Sequence, residues 1–145
     1  MKLTGMEKRM LKASLAALIP AQAHPRFPLG ALDTGALELA ERMLASSPWL
    51  AATGVRASIW VAYFFPLLVM GKPCTLSGLS PEEADDYLNR LYEHPIYLVR
   101  QTVLLLKSVA CLSYLADDRV REAVGMMRPR RLPIGPALRP EEEMP

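Results

Sequence analysis

The sequence is poor in the residues that build reactive centres. It has two cysteines and two histidines in 145 residues. His24 and His94 each sit beside a proline, and neither has a second ligand three or four positions away, so the paired spacing of a helical metal site is missing. The eight glycines are scattered, and FPLGALDTGAL follows no strand pattern, which excludes the usual phosphate-cradling loop of a dinucleotide site. Cys74, in a Pro-flanked loop, and Cys111, in a helical stretch, form no metal or redox motif and read as two buried thiols rather than a disulfide. The adjacent carboxylates Glu82/Glu83 and Asp85/Asp86 open a helix, where they complement its dipole in water instead of sitting in the dry pocket that acid–base catalysis needs. Alternating strand patterns and internal repeats are absent as well, leaving an all-α reading. A net charge of +2 is too small to argue for nucleic acid, and no stacking aromatics are interleaved with the arginines near the C-terminus.

What the sequence does have is apolar helix. The stretch IYLVRQTVLLLKSVACLSYLA, Ile96 to Ala116, is as long as a membrane span. Its apolar residues contribute roughly −0.3 to −0.6 kcal/mol each on the insertion scale, and Arg100 and Lys107 oppose them with roughly +2.5 to +3.5 each, so the sum is near zero and insertion is not favoured. Arg100 and Lys107 are two turns apart and share a face with Tyr97, Leu104, Cys111 and Tyr114. The expectation is a helix at the centre of a soluble bundle, with that one polar stripe reaching water or a partner.

Helix signals bracket the rest of the chain. Thr4 and Glu7 form a capping box ahead of a stripe of Leu11, Leu15 and Leu18 that ends at Pro20. AQAHPRFPLG reads as loop, after which Asp33 can cap a second helix with Leu37, Ala40, Met43 and Leu44 on its buried side. Ser47 and Pro48 suit the start of a third, which carries IWVAYFFPLLVM, is buried or kinked at Pro66, and stops at Gly71. Ser80, Pro81 and Glu83 combine cap, first-turn proline and capping-box glutamate for a fourth. Pro95 opens the fifth, and Asp117 or Asp118 caps a short sixth that stops at Gly125. A chain of this length can bury enough surface for one core without staples. The predicted architecture is a single-domain bundle of about six helices over residues 1–127, with an extended Pro/Arg-rich tail over 128–145.

Charge and aromatics suggest surfaces rather than sites. An acidic helix, with Glu82, Glu83, Asp85, Asp86 and Glu93 against Arg90, contrasts with a basic end holding Arg119, Arg121, Arg128, Arg130 and Arg131 against Glu122. The tail cannot build its own core and reads as disordered, extended or docked along a partner. Trp49, Trp60, Tyr63, Phe64 and Phe65 either fill a core or line an apolar pocket. The candidate partner-interface residues are Arg100, Lys107, Trp60, Phe64, Met126, Arg128, Arg130 and Arg131; no catalytic, cofactor-binding or metal residue is assigned. The N-terminal segment is interrupted by Glu7, Lys8, Arg9 and Lys12 and has no twin-arginine motif, so it does not read as an export signal, and a cytoplasmic location is expected.

The order LSGLSPEEADDYLNRLYEHPIYLVRQTVLLLKSVACLSYLADDRVREAVGM resembles the small helical region associated with GMC-type flavin oxidoreductases. That region occurs as an N-terminal extension of long-chain alcohol oxidase-like enzymes or as a separate subunit, as in the gluconate 2-dehydrogenase subunit 3 family. The likeness is carried by the LSPEE..YL..L helix start, the LLLKSVACLSYLADDRV helix and turn, the glycine after REAV, and the earlier LIPA......GALDTGALEL, and it covers residues 4–127. The resemblance implies a non-catalytic accessory subunit of a heteromeric FAD-dependent dehydrogenase or oxidase. The FAD and the catalytic residues would belong to a large flavoprotein partner, and a cytochrome or other electron acceptor could join the assembly. Many such small subunits carry a twin-arginine signal, which this sequence does not show. The alternative reading is a helical module, membrane-peripheral in one form, that holds a lipid- or steroid-like molecule against the aromatic helix.

Overall fold

The computed structural model describes residues 2–126, and the expected tail over 128–145 lies outside the described residues. Helix α1, Gly5–Leu18, starts from a capping box: the Thr4 hydroxyl accepts from the Glu7 amide at 3.3 Å, and the Glu7 carboxylate accepts from the Thr4 amide at 2.8 Å. Leu11 and Leu15 are fully buried. The loop that follows folds back so closely that a Cβ on Gly30 would lie 2.7 Å from the Ala21 amide nitrogen, so glycine is the residue that fits.

Helix α2, Ala36–Ser46, differs from expectation at both ends. Asp33 lies in a 3-10 turn, Ala31–Asp33, and its carboxylate accepts from the Gly30 amide; the helix itself begins after Gly35, whose φ of 68° an L side chain would resist. Ser47 turns its hydroxyl back to the Met43 carbonyl, ending α2 instead of capping the next helix. Ala40 and Leu44 are buried and Leu37 and Met43 half-buried, as the periodicity predicts.

Seven helices are present among the described residues where six were expected, because Pro66 splits the third. Helix α3 spans Trp49–Phe64 and α4 spans Pro66–Met70, the latter closed by Gly71 in the left-handed region. Proline has no amide proton, so the Ala62 carbonyl four residues earlier loses its helical donor. The Tyr87 hydroxyl, arriving from α5, Pro81–Tyr92, donates to that carbonyl at 2.9 Å. A kink written in one helix is thereby satisfied by another. Burial pushes the Tyr87 phenol well above its usual value, so it keeps the proton it donates.

Helix α5 opens with the Ser80/Glu83 capping box, α6 covers Tyr97–Tyr114, and α7, Asp118–Ala123, takes its cap from Asp117 and is followed by Gly125 at φ 77°. Two apolar clusters hold the helices together. The first joins Met10, Leu11 and Leu15 of α1 and Ala40 and Leu44 of α2 to Val55 and Ile59 of α3 and Leu106 and Ala110 of α6. The second joins Tyr87, Leu88 and Leu91 of α5 to Val99 and Val103 of α6, with Phe65 and Val69 packed against them. The C-terminal half of α6 thus meets the middle of α3, and its N-terminal half meets the region after α3, as antiparallel neighbours do. The described residues form one all-α domain.

Candidate docking face

The sequence places helix α6 at the bundle centre with a single polar edge reaching water or a partner. Only one side of it is covered: Val99, Val103, Leu106, Val109, Ala110 and Ser113 are buried. At 100° per residue the remaining sector spans more than half the helix and is mostly apolar. Leu98, Leu105 and Leu112 recur every two turns and are 72%, 38% and 59% exposed. Beside that row lie Gln101 and Ser108, then Tyr97, Leu104 and Cys111, then Arg100 and Lys107 at the far edge. Cys111 is exposed rather than buried, because it falls in this outward sector, while Cys74 is half-buried and both thiols are free.

The leucine row adjoins α3. A Cβ on Gly54 would meet Leu105 Cδ2 at 3.5 Å, so the two helices touch with glycine at the seam. On α3 the outward positions next to that seam are Leu50, Ala57 and Phe64, with Trp60 on the side toward α1. Trp60 and Phe64 stack with ring centroids 5.4 Å apart, and Tyr63 meets Phe64 edge-on at 5.1 Å. Side by side, α3 and α6 form one layer whose outer face carries large apolar groups, bounded by Trp60 on one edge and by Arg100 and Lys107 on the other. An exposed surface this rich in large apolar side chains is a mark of an interaction site.

The α1 edge of that face is held by a buried ion pair. Glu7 Oε1 accepts from Arg56 Nε at 2.8 Å and from the Trp60 indole at 3.4 Å, while Oε2 accepts from the Thr4 amide and hydroxyl at 2.8 and 3.0 Å. Burial alone raises the Glu7 carboxyl, but the hydrogen bonds from the Thr4 amide, Arg56, the Thr4 hydroxyl and Trp60 outweigh it and hold the group at about 2. A carboxylate so fully paired is a poor general base. It fixes Arg56 and Trp60 in place, and so shapes the rim.

Four of the sequence-derived candidates, Trp60, Phe64, Arg100 and Lys107, therefore share one face. Arg100 donates to the His94 and Pro95 carbonyls at 2.8 and 3.2 Å and lies 5.7 Å from the Tyr97 ring, tying down the turn before α6. Lys107 is exposed and lies 5.9 Å from the Tyr92 ring centroid. Met126 is also exposed, after Gly125, and is not among the residues shown to line the face; Arg128, Arg130 and Arg131 lie outside the described residues. The residues missed from sequence are Leu50, Leu98, Leu105 and Leu112. The seven-residue recurrence of the last three was the available signal, hidden because α6 is apolar on nearly every side.

Other features are less developed. An open concavity of about 430 Å³ is lined mainly by solvated charges, Lys8, Glu38, Glu41 and Arg42, with Lys8 already paired to Glu41, and a shallower one of about 250 Å³, lined by Leu18, Ile19, His24, Phe27, Leu29 and Tyr114, is below the roughly 300–1,000 Å³ usual for small-molecule sites. Its Tyr114 hydroxyl is engaged by the Leu29 carbonyl at 2.7 Å. Among the described residues no three His, Cys, Asp or Glu side chains gather as metal ligands, and no helix is long and apolar enough to cross a membrane. No family model, curated protein or solved structure matches the chain.

Proposed function

We propose that this chain is a non-catalytic accessory subunit that docks on a larger flavoprotein of the GMC type, stabilising it and shaping access to its substrate site. The observation that carries the reading is the outer face of α3 and α6, where Leu50, Phe64, Leu98, Leu105 and Leu112 remain open to water in the single chain. An isolated fold gains nothing from that exposure, whereas an obligate subunit interface, roughly 2,000 Å² or more, is built from such groups. The sequence likeness to small subunits of flavin dehydrogenases supplies the kind of partner. FAD and the hydride chemistry belong to that partner in this reading, and the electron acceptor is met there.

The test is co-expression with a GMC-type flavoprotein encoded beside this chain. The expected result is a stoichiometric, yellow complex, with the small chain alone colourless and without turnover. A chain that is stable, monomeric and never retained by such a flavoprotein would overturn the proposal.

A further inference from the structure

We infer that the surface covering the α3–α6 face belongs to a protein, apolar in its middle and bearing carboxylates along the one edge that meets Arg100 and Lys107. This rests on the accessory-subunit reading and specifies the chemistry of its interface. The charge pattern of the two outer helices is one-sided. No Asp or Glu occurs between Glu41 and Glu82 or between Glu93 and Asp117, so α3, α4 and α6 carry no carboxylate at all. Of the cations on these helices Arg56 is taken by Glu7, whereas neither Arg100 nor Lys107 enters a salt bridge among the described residues. A partner that covers the leucine rows and brings acidic groups to that edge matches both features.

Two other occupants fit less well. A second copy would turn the same face inward, and the face has no available carboxylate to offer: Glu7 is buried and already holds Arg56 and the Thr4 amide. A second copy stacked face on face would bring the Lys107 edge no carboxylate from its own α3, α4 or α6. A lipid surface offers phosphates, but Gln101 stands among the leucines and Tyr97 of the exposed sector, and hydrocarbon cannot satisfy its amide. A protein can. The straight rows of α6, two turns apart, also suit the interdigitation of a facing helix.

The experiment uses the full chain with the flavoprotein partner and compares Leu105→Glu and Lys107→Glu with the unaltered protein, reading affinity at low and high salt. Lys107 faces water and Leu105 does so only in part, beside Gly54, so thermal melts of the free variants separate docking from folding, and Leu112→Glu, at a side chain 59% exposed in the same row, replaces Leu105→Glu if the latter melts early. Leu105→Glu is expected to abolish the complex. Lys107→Glu should weaken it about tenfold at low salt and remove most of the salt dependence the parent shows. If the parent itself forms no complex, the inference falls together with the accessory-subunit reading. If the complex forms and Leu105→Glu leaves it intact, only the assignment of the face is wrong. Loss with Leu105→Glu but an unchanged response in Lys107→Glu would remove the acidic edge. A Leu105-dependent dimer by light scattering, or Leu105-dependent binding to vesicles containing phosphatidylglycerol in place of the flavoprotein, would overturn the proposed occupant.

Discussion

The two sides of α6 are both rich in large apolar side chains and have opposite fates. Leu106 is 1% exposed in the main cluster, while its neighbour Leu105 is 38% exposed beside Gly54. One residue of helical rotation, 100°, decides which of two identical side chains holds the domain together and which waits at the surface. The difference teaches that an apolar helix is not evidence of a buried one. Burial depends on how many neighbours the fold places around it, and α6 has neighbours on one side only.

That contrast can be broken by substitution. Leu106→Ala should be the most damaging, costing about 3–4 kcal/mol through lost transfer energy and the cavity left behind, read by chemical denaturation. Glu7→Gln, at the rim of the outer face, should cost about 3 kcal/mol at neutral pH, because Arg56 loses the charge it is packed against. The sign of its pH dependence follows from the lowered carboxyl: the stabilisation is complete above the ordinary value of 4.5 and is lost as pH falls through about 2, so parent and variant should converge below pH 4.5. Tyr87→Phe should cost about 2 kcal/mol by leaving the Ala62 carbonyl without a donor beside Pro66, and difference melts at constant pH would measure it. Leu98→Ser should change the stability of the free chain by less than about 0.5 kcal/mol, since a side chain 72% exposed on the open side gives up little packing; a loss near that of Leu106→Ala would show the two sides of α6 to be equivalent after all.

Helix boundaries were legible wherever a local device sets them. The Thr4/Glu7 and Ser80/Glu83 boxes, the Asp117 cap and the Gly71 and Gly125 stops act within four residues, so sequence spacing is sufficient. The misplaced caps show the limit of that logic. Asp33 and Ser47 have the right chemistry, but each bonds to a different nearby backbone group, Gly30 and Met43, because the chain folds into a 3-10 turn in one case and leaves the helix in the other. Glu7 was readable as a capping-box residue and not as the anchor of Arg56 and Trp60, partners about fifty positions away. The docking face was half legible: residue type and spacing point to Trp60, Phe64, Arg100 and Lys107, while nothing in a helix apolar on nearly every side singles out Leu98, Leu105 and Leu112 as its exposed row.

By itself the sequence determined that this chain is helical, where most helices begin and end, and that α6 is too charged to favour lipid. Those properties come from propensity, capping and side-chain period, which operate within a turn or two of the backbone. Only the packing of α3 against α6 decided which apolar side chains are enclosed and which form an open face. Its governing contacts, Val55 and Ile59 with Leu106 and Ala110, join residues far apart in the chain and leave no local trace in either segment.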